Sequence, residues 1–297
     1  MIRPENLVPG DTIALIAPAK AIEPDLVDAA VVLLETAGYK VLVGKHTKGQ
    51  YHYFSGTDDE RAADLQWAID HPAVKAIVCA RGGYGAVRLL DRVQWANFLR
   101  EPKWLLGFSD ITNFHLHAMQ LDIESVHCTM PLNFSENSPE AVASMLTVLK
   151  TGTVQHAWPN EPINRIGEAS GLLVGGNLSI LYAALGTPLR PNFQGAILFV
   201  EDIGEQLYQL DRMFHALKMA GAFDQIAGLI VGGMTDIKDT AIPTGFDITS
   251  MILSHVQYRS IPVVFNAPIG HISDNRAVIV GRYSQLNVTD EAVRFEQ

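Results

Sequence analysis

The sequence predicts an α/β protein in two parts, and three observations carry that prediction. Over residues 1–135, short apolar runs alternate with amphipathic helical patterns, which implies a mostly parallel sheet covered on both faces. Those runs end in loops bearing glycine, proline or serine ("APAK", "RGGYG", "GFSD"), the ends at which such sheets take up ligands. From 166 to 297 the pattern changes to separate short strands, richer in glycine, around one long helix, which predicts a mixed β domain.

In chain order, "TIALIAP" (12–18) is a buried strand ended by Pro18. A helix follows over 24–39, with Leu26, Ala30, Leu33, Leu34 and Ala37 along one face and Gly38 as its stop. "KVLVG" (40–44) is the next strand. Thr57 and Glu60 stand in capping-box spacing at the head of a helix that runs to Pro72. "VKAIVCA" (74–80) and "KWLLGF" (103–108) read as strands, with a partly helical stretch over 87–99 between them. Residues 136–165 read as a linker with one short helical pattern. Beyond it, "AILFVED", "IAGLIVGGM", "IPVVFNAPIG", "RAVIVG" and "SQLNVTD" read as strands, and "EQLYQLDRMFHALKMAG" (205–221) as a long helix.

Composition excludes several classes of function. The chain has 297 residues, 48% hydrophobic and 18% charged, a globular balance. Its formal charge of −10, with no run of Lys or Arg, argues against a nucleic-acid partner. No apolar run is long enough for a membrane span, and "MIRPENLVPGDTIALIAPAK" lacks the layout of a signal peptide, so a cytoplasmic location is expected. Cys79 and Cys128 give no disulfide framework and no zinc spacing; neither a metal nor a cofactor is expected. Small molecules and peptides remain as ligands.

Four stretches have the residue types for chemistry. Ser109, in "LLGFSDITNFH", sits where a strand turns into a helix; it is a helix cap contributing about 1 kcal/mol or a nucleophile beside free N–H groups. Ile111 stands where the nucleophile elbow G-x-S-x-G has its second glycine, so that match is partial. "ARGGYGAVRLL" (80–90) fits neither nucleotide-binding glycine pattern. It is a tight loop, or one whose amides approach a carbonyl while Arg81 pairs with an anionic group. Glu201 ends a strongly apolar strand and needs a partner there; with Asp202 and Glu205 it could instead bind a cation, or the latter two could cap the next helix. His271, in the loop "NAPIGHISDN", is placed as a general base or is an ordinary surface histidine. A serine hydroxyl needs a base, and the base needs an orienting group; the chain offers Ser109, Glu201 and His271 in that order.

From "PGDTIALIAPA" to "PIGHISDNRAVIVG" the sequence resembles the LD-carboxypeptidases of serine-peptidase family S66. The resemblance rests on "RGGYGAVRLL", "GFSDIT", "GGNLSIL", "GTP", "FVEDIGEQLYQLDRMFHAL" and "PIGHISDN". It implies an N-terminal flavodoxin-like parallel-sheet domain (1–135) carrying the nucleophile. After the linker comes a C-terminal swivelling β-rich (β/β/α) domain (166–297) carrying Glu and His. It implies Ser109 as nucleophile, His271 as base then acid, and Glu201 orienting the imidazole. The oxyanion hole would use the backbone N–H of Asp110 and of Gly83, with Gly82 and Arg81 beside the substrate. The implied reaction releases the terminal D-alanine of murein tetrapeptides, without metal or cofactor, in a homodimer. A microcin-immunity branch of the same group cleaves an aminoacyl- or peptidyl-adenylate amide, and a non-catalytic muropeptide-binding protein is a further alternative. Two departures from the family pattern bear on the substrate. Ala19 stands where a serine is common, and Cys128-Thr129-Met130 follow His127 where a glycine and proline are common.

Overall fold

Residues 1–297 are described by a computed structural model, in which the chain divides into two units: Met1–Thr153 with Ser273–Gly281, and Val154–Ile272 with Arg282–Gln297. In the first, β1 (Thr12–Ile16), α1 (Pro24–Thr36), β2 (Lys40–Val43), α2 (Asp58–Asp70), β3 (Val74–Cys79), α3 (Ala96–Arg100), β4 (Trp104–Gly107), α4 (Thr112–Gln120), β5 (Ser125–His127) and α5 (Pro139–Thr151) follow one another. Strands β2-β1-β3-β4-β5 lie side by side and parallel, the order of flavodoxin-like sheets, and Val278–Val280 adds an antiparallel edge beside β5. Every residue of β1 and β4 is buried, as helices on both faces require. On one face, Ala62, Leu65 and Ile69 of α2, Phe98 of α3 and Phe114 of α4 pack against Ala14, Ile77 and Leu105 of the sheet.

The capping box at Thr57 forms as expected. Its hydroxyl accepts from the Glu60 N–H at 3.3 Å, and Glu60 accepts from the Thr57 N–H at 2.8 Å. The stretch 87–99 is not one helix: a 3-10 turn covers Ala86–Leu89, and only Ala96–Arg100 is α-helical. Nor is 136–165 a linker. Ser138 caps α5, which buries Ala141, Met145, Val148 and Leu149 at helical spacing, and left-handed Gly152 ends it inside the first unit.

The second unit continues with β6 (Gln155–Pro159), β7 (Gly167–Asn177), α6 (Leu178–Ala184), β8 (Ile197–Ile203), α7 (Leu207–Met219), α8 (Ala222–Gln225), β9 (Gly228–Thr235), α9 (Ile248–Val256) and β10 (Val263–Val264). Val278–Val280 is β11 in chain order, and β12 (Tyr283–Val288) and β13 (Ala292–Glu296) close the chain. The seven-stranded sheet runs β10-β9-β8-β7-β12-β13-β6, parallel from β7 to β10 and antiparallel from β7 to β6. β8 is buried from Ile197 to Asp202, whereas β12 alternates between buried and more exposed residues, so the parallel half is covered and the antiparallel half has one wetter face. "RAVIVG" was expected among these strands; its β11 pairs with β5 of the first unit instead. No helix is long and apolar enough to cross a membrane.

Candidate active site

The first unit shapes the turn at Ser109. β4 stops at Gly107, whose φ of 152° and contact with Ile111 leave no room for a side chain: a β-carbon there would lie 3.0 Å from Ile111 Cγ1. Two residues on, Ser109 has a φ of 63°, a left-handed conformation that costs a non-glycine residue about 1–2 kcal/mol. Ser109 is the N-cap of neither helix here: Phe108 precedes the 3-10 turn Ser109–Ile111 and Ile111 precedes α4, so the expected cap does not form. The strain instead sets a half-buried hydroxyl at the carboxyl end of a central strand, next to the Asp110 N–H in the first turn of the 3-10 helix.

Asp110 joins this turn to the glycine loop. Its buried carboxylate accepts from the Ala86 N–H at 2.8 Å and from Asn113 Nδ2 at 3.1 Å. Burial pushes its pKa up against these donors. Gly82 abuts the serine: a β-carbon on it would stand 3.0 Å from Ser109 Cβ and 3.3 Å from the Asp110 amide nitrogen. Gly83, at φ 104°, faces Lys20 and the Tyr53 hydroxyl instead. Arg81 donates to the Ala21 carbonyl at 2.9 Å, which leaves other guanidinium N–H groups for a ligand.

Two further residues hold these loops, a role read for neither from the sequence. Arg61, buried on α2, donates to the carbonyls of Pro18 (2.5 Å), Gly85 (3.0 Å) and Gly56 (3.2 Å) and pairs with Asp58. It thereby ties the end of β1 to the loop after β3. A signal was available, since Arg61 lies on the helix face that also carries Ala62 and Leu65. His115, wholly buried on α4, lies between the Gly107 carbonyl (Nε2, 2.8 Å) and the Ser125 hydroxyl (Nδ1, 2.9 Å). Burial pushes its pKa down to about 4, so the neutral ring donates to Gly107 and accepts from Ser125.

The second unit brings Glu201 and His271 together. Glu201, at the end of β8, is fully buried; its Oε2 accepts from His271 Nδ1 at 2.5 Å and from the His271 N–H at 3.2 Å. Glycines make the space: a β-carbon on Gly270 (φ 100°) would lie 2.5 Å from Glu201 Cβ and Cγ, and one on Gly232 would lie 2.4 Å from the Ile269 carbonyl oxygen. Thr235 Oγ1 donates to the His271 carbonyl at 2.7 Å and fixes the far side of the loop. Desolvation works to lower the His271 pKa, but the Glu201 charge and hydrogen bond, with Asp202 adding to them, outweigh it and leave the pKa raised.

Asp202 points away from this pair, as strand alternation requires, and accepts from Asn177 Nδ2 (2.9 Å), the Ser179 N–H (2.9 Å) and the Ser179 hydroxyl (2.8 Å). Glu205 lies 3.4 Å from that same hydroxyl. Glu201, Asp202 and Glu205 therefore do not form one cation site. The anchoring role of Asn177 and Ser179, within "GGNLSIL", was not read from the sequence; an Asx N-cap before α6 was the available signal.

Comparison with known proteins gives this geometry its context. The LD-carboxypeptidase N-terminal domain family matches residues 13–128, and the LD-carboxypeptidase C-terminal domain family matches residues 170–286. The chain is 32% identical to a probable murein peptide carboxypeptidase of Bacillus subtilis, over 99% of this chain and 94% of that one. It is 30% identical to a murein tetrapeptide carboxypeptidase of Pseudomonas aeruginosa, over 92% of each. It is 27% identical to the microcin C7 self-immunity protein MccF of Escherichia coli, over 76% of each. Among solved structures, a muramoyltetrapeptide carboxypeptidase from Oxalobacter formigenes matches with a TM-score of 0.87 at 29% identity, over 96% of this chain and 98% of that one. Two family domains in order and relatives alike along nearly the full length lead to one conclusion: the chain belongs to the LD-carboxypeptidase family, S66.

Proposed function

We propose that this protein is a serine carboxypeptidase that hydrolyses the L,D-amide bond of murein tetrapeptides and releases the terminal D-alanine. The observation that carries this is the near full-length likeness to carboxypeptidases whose names specify murein peptides, at 30% identity or above. Ser109 is the nucleophile, His271 the base and then the acid, and Glu201 the group that orients the imidazole. Nδ1–H goes to Glu201, and in this reading Nε2 accepts the serine proton. Ser109 Oγ attacks the carbonyl carbon on the L-centre, and the oxyanion takes N–H bonds from Asp110 and from the Gly82–Gly83 turn, Gly83 by the family resemblance and Gly82 by its place against the serine. His271 returns the proton to the departing amine of D-alanine. Water, deprotonated in turn by His271, then cleaves the acyl-enzyme and restores the hydroxyl. Arg81 is suited to hold the substrate's terminal carboxylate through its remaining donors. The family resemblance further points to a homodimer working in the cytoplasm, which sedimentation and fractionation test.

Ser109→Ala is expected to lower D-alanine release from a murein tetrapeptide by at least about 10⁴-fold with unchanged circular dichroism. A variant that keeps its rate overturns the mechanism. An aminoacyl-adenylate analogue in the same assay separates the microcin-immunity alternative. Calorimetric binding of the tetrapeptide without turnover in the wild type would favour a non-catalytic binder.

A further inference from the structure

Helices α7 and α9 of the second unit carry a cluster that the hydrolytic chemistry leaves unused. Asp211 and His215 are four residues apart on α7 and so share a face, and His255 stands on the buried face of α9 with Met251 and Ile252. One oxygen, Asp211 Oδ1, lies 3.0 Å from His255 Nε2 and 3.8 Å from His215 Nε2, and the three donor atoms all fall within 4.8 Å of one another. We propose that Asp211, His215 and His255 bind one divalent transition-metal ion of the zinc class.

The spacing fits that ion. Zinc bonds nitrogen and oxygen at about 2.0–2.2 Å, which sets donors at tetrahedral corners about 3.3–3.5 Å apart. The 3.0 and 3.8 Å separations fall on either side of that range, and His215, whose side chain is 57% exposed, is free to rotate and close the third. His255 is fixed in advance: its side chain is 2% exposed, and its ring stacks on Phe214 with centroids 5.8 Å apart. A structural Asp–His hydrogen bond would explain His255 alone. It leaves unexplained why an exposed second imidazole turns its Nε2 toward the same oxygen and packs edge-on against His255, with centroids 4.5 Å apart.

Donor chemistry selects the ion. Two imidazoles and one carboxylate suit zinc and its first-row neighbours, whereas magnesium and calcium take oxygen-rich sites. The Lys218 ammonium, close enough to act on His255, further disfavours an ion held by charge alone. The site shares no residue with Glu201 or His271 and supplies no hydrolytic step; its ion clasps α7 to α9.

The test titrates the full chain, stripped with a chelator, with zinc chloride and separately with magnesium chloride in a calorimeter, following melting temperature in parallel. The expected result is one zinc per chain, a raised melting temperature and no response to magnesium. His215→Ala, an exposed change, and Asp211→Asn should each weaken zinc binding at least about tenfold and remove the thermal shift. His271→Ala should keep both responses. The proposal is overturned if wild type binds no zinc, if binding survives in the first two variants, or if it is lost in His271→Ala.

Discussion

His115 and His271, one in each unit, differ in surroundings more than in burial. His115 has no carboxylate: a carbonyl and a hydroxyl hold it, and burial alone holds its pKa down to about 4. His271 is also largely desolvated, yet the fully buried Glu201 against its Nδ1 reverses the sign and raises its pKa. Burial removes a proton from an imidazole in both places; an undivided negative charge returns it in one. The first ring is therefore a strut under the Ser109 turn, and the second has the character of a base.

The sharpest way to break the contrast is to remove the charge. Glu201→Gln should lower kcat by about 10³- to 10⁴-fold while the fold persists, as loss of an orienting carboxylate does elsewhere. The base must be neutral to act, so kcat/KM in the wild type should rise with pH along a limb above the ordinary histidine value, and that limb should move down in the variant. A glutamine enzyme with the wild-type rate and limb would remove Glu201 from the mechanism.

A second measurement addresses the strut. With a folded pKa of about 4 against about 6.5 when unfolded, His115 contributes stability that is fully present above 6.5 and lost as pH falls toward 4, about 3 kcal/mol in all. Carboxylates also titrate in this range, so the difference is the observable: His115→Asn should flatten the pH 7 to pH 4 fall in unfolding free energy by about that amount. An equal fall in both proteins would show that His115 is not held neutral.

The smallest change tests the packing behind Glu201. Gly270→Ala puts a methyl group 2.5 Å from the Glu201 side chain at a φ of 100°, and should cost about 2 kcal/mol in urea unfolding along with a displaced His271 loop. A neutral substitution would mean that the loop has slack, and that the 2.5 Å hydrogen bond is not enforced by the backbone.

Much of the fold was legible because parallel strands leave continuous apolar runs and helices carry their own signals, such as the Thr57–Glu60 box. Ser109 and Glu201 were legible as polar residues at strand ends, where a buried run must stop, and His271 as a histidine in a Pro-Gly-rich loop. What stayed hidden depends on contacts distant in sequence. The left-handed backbone of Ser109 is set by its neighbours, Arg61 acquires its partners only when three loops converge, and nothing local in "RAVIVG" says which sheet it joins. The 87–99 stretch carried an apolar pattern without the length or caps to sustain one helix.

That last strand has a consequence for how the protein is made. β11 seals the β5 edge, yet it emerges from the ribosome only after almost all of the second unit has been translated. Until then the nascent first sheet presents an open row of N–H and C=O groups, a template for pairing with any passing chain. A gene cut after Thr153 would make that transient condition permanent.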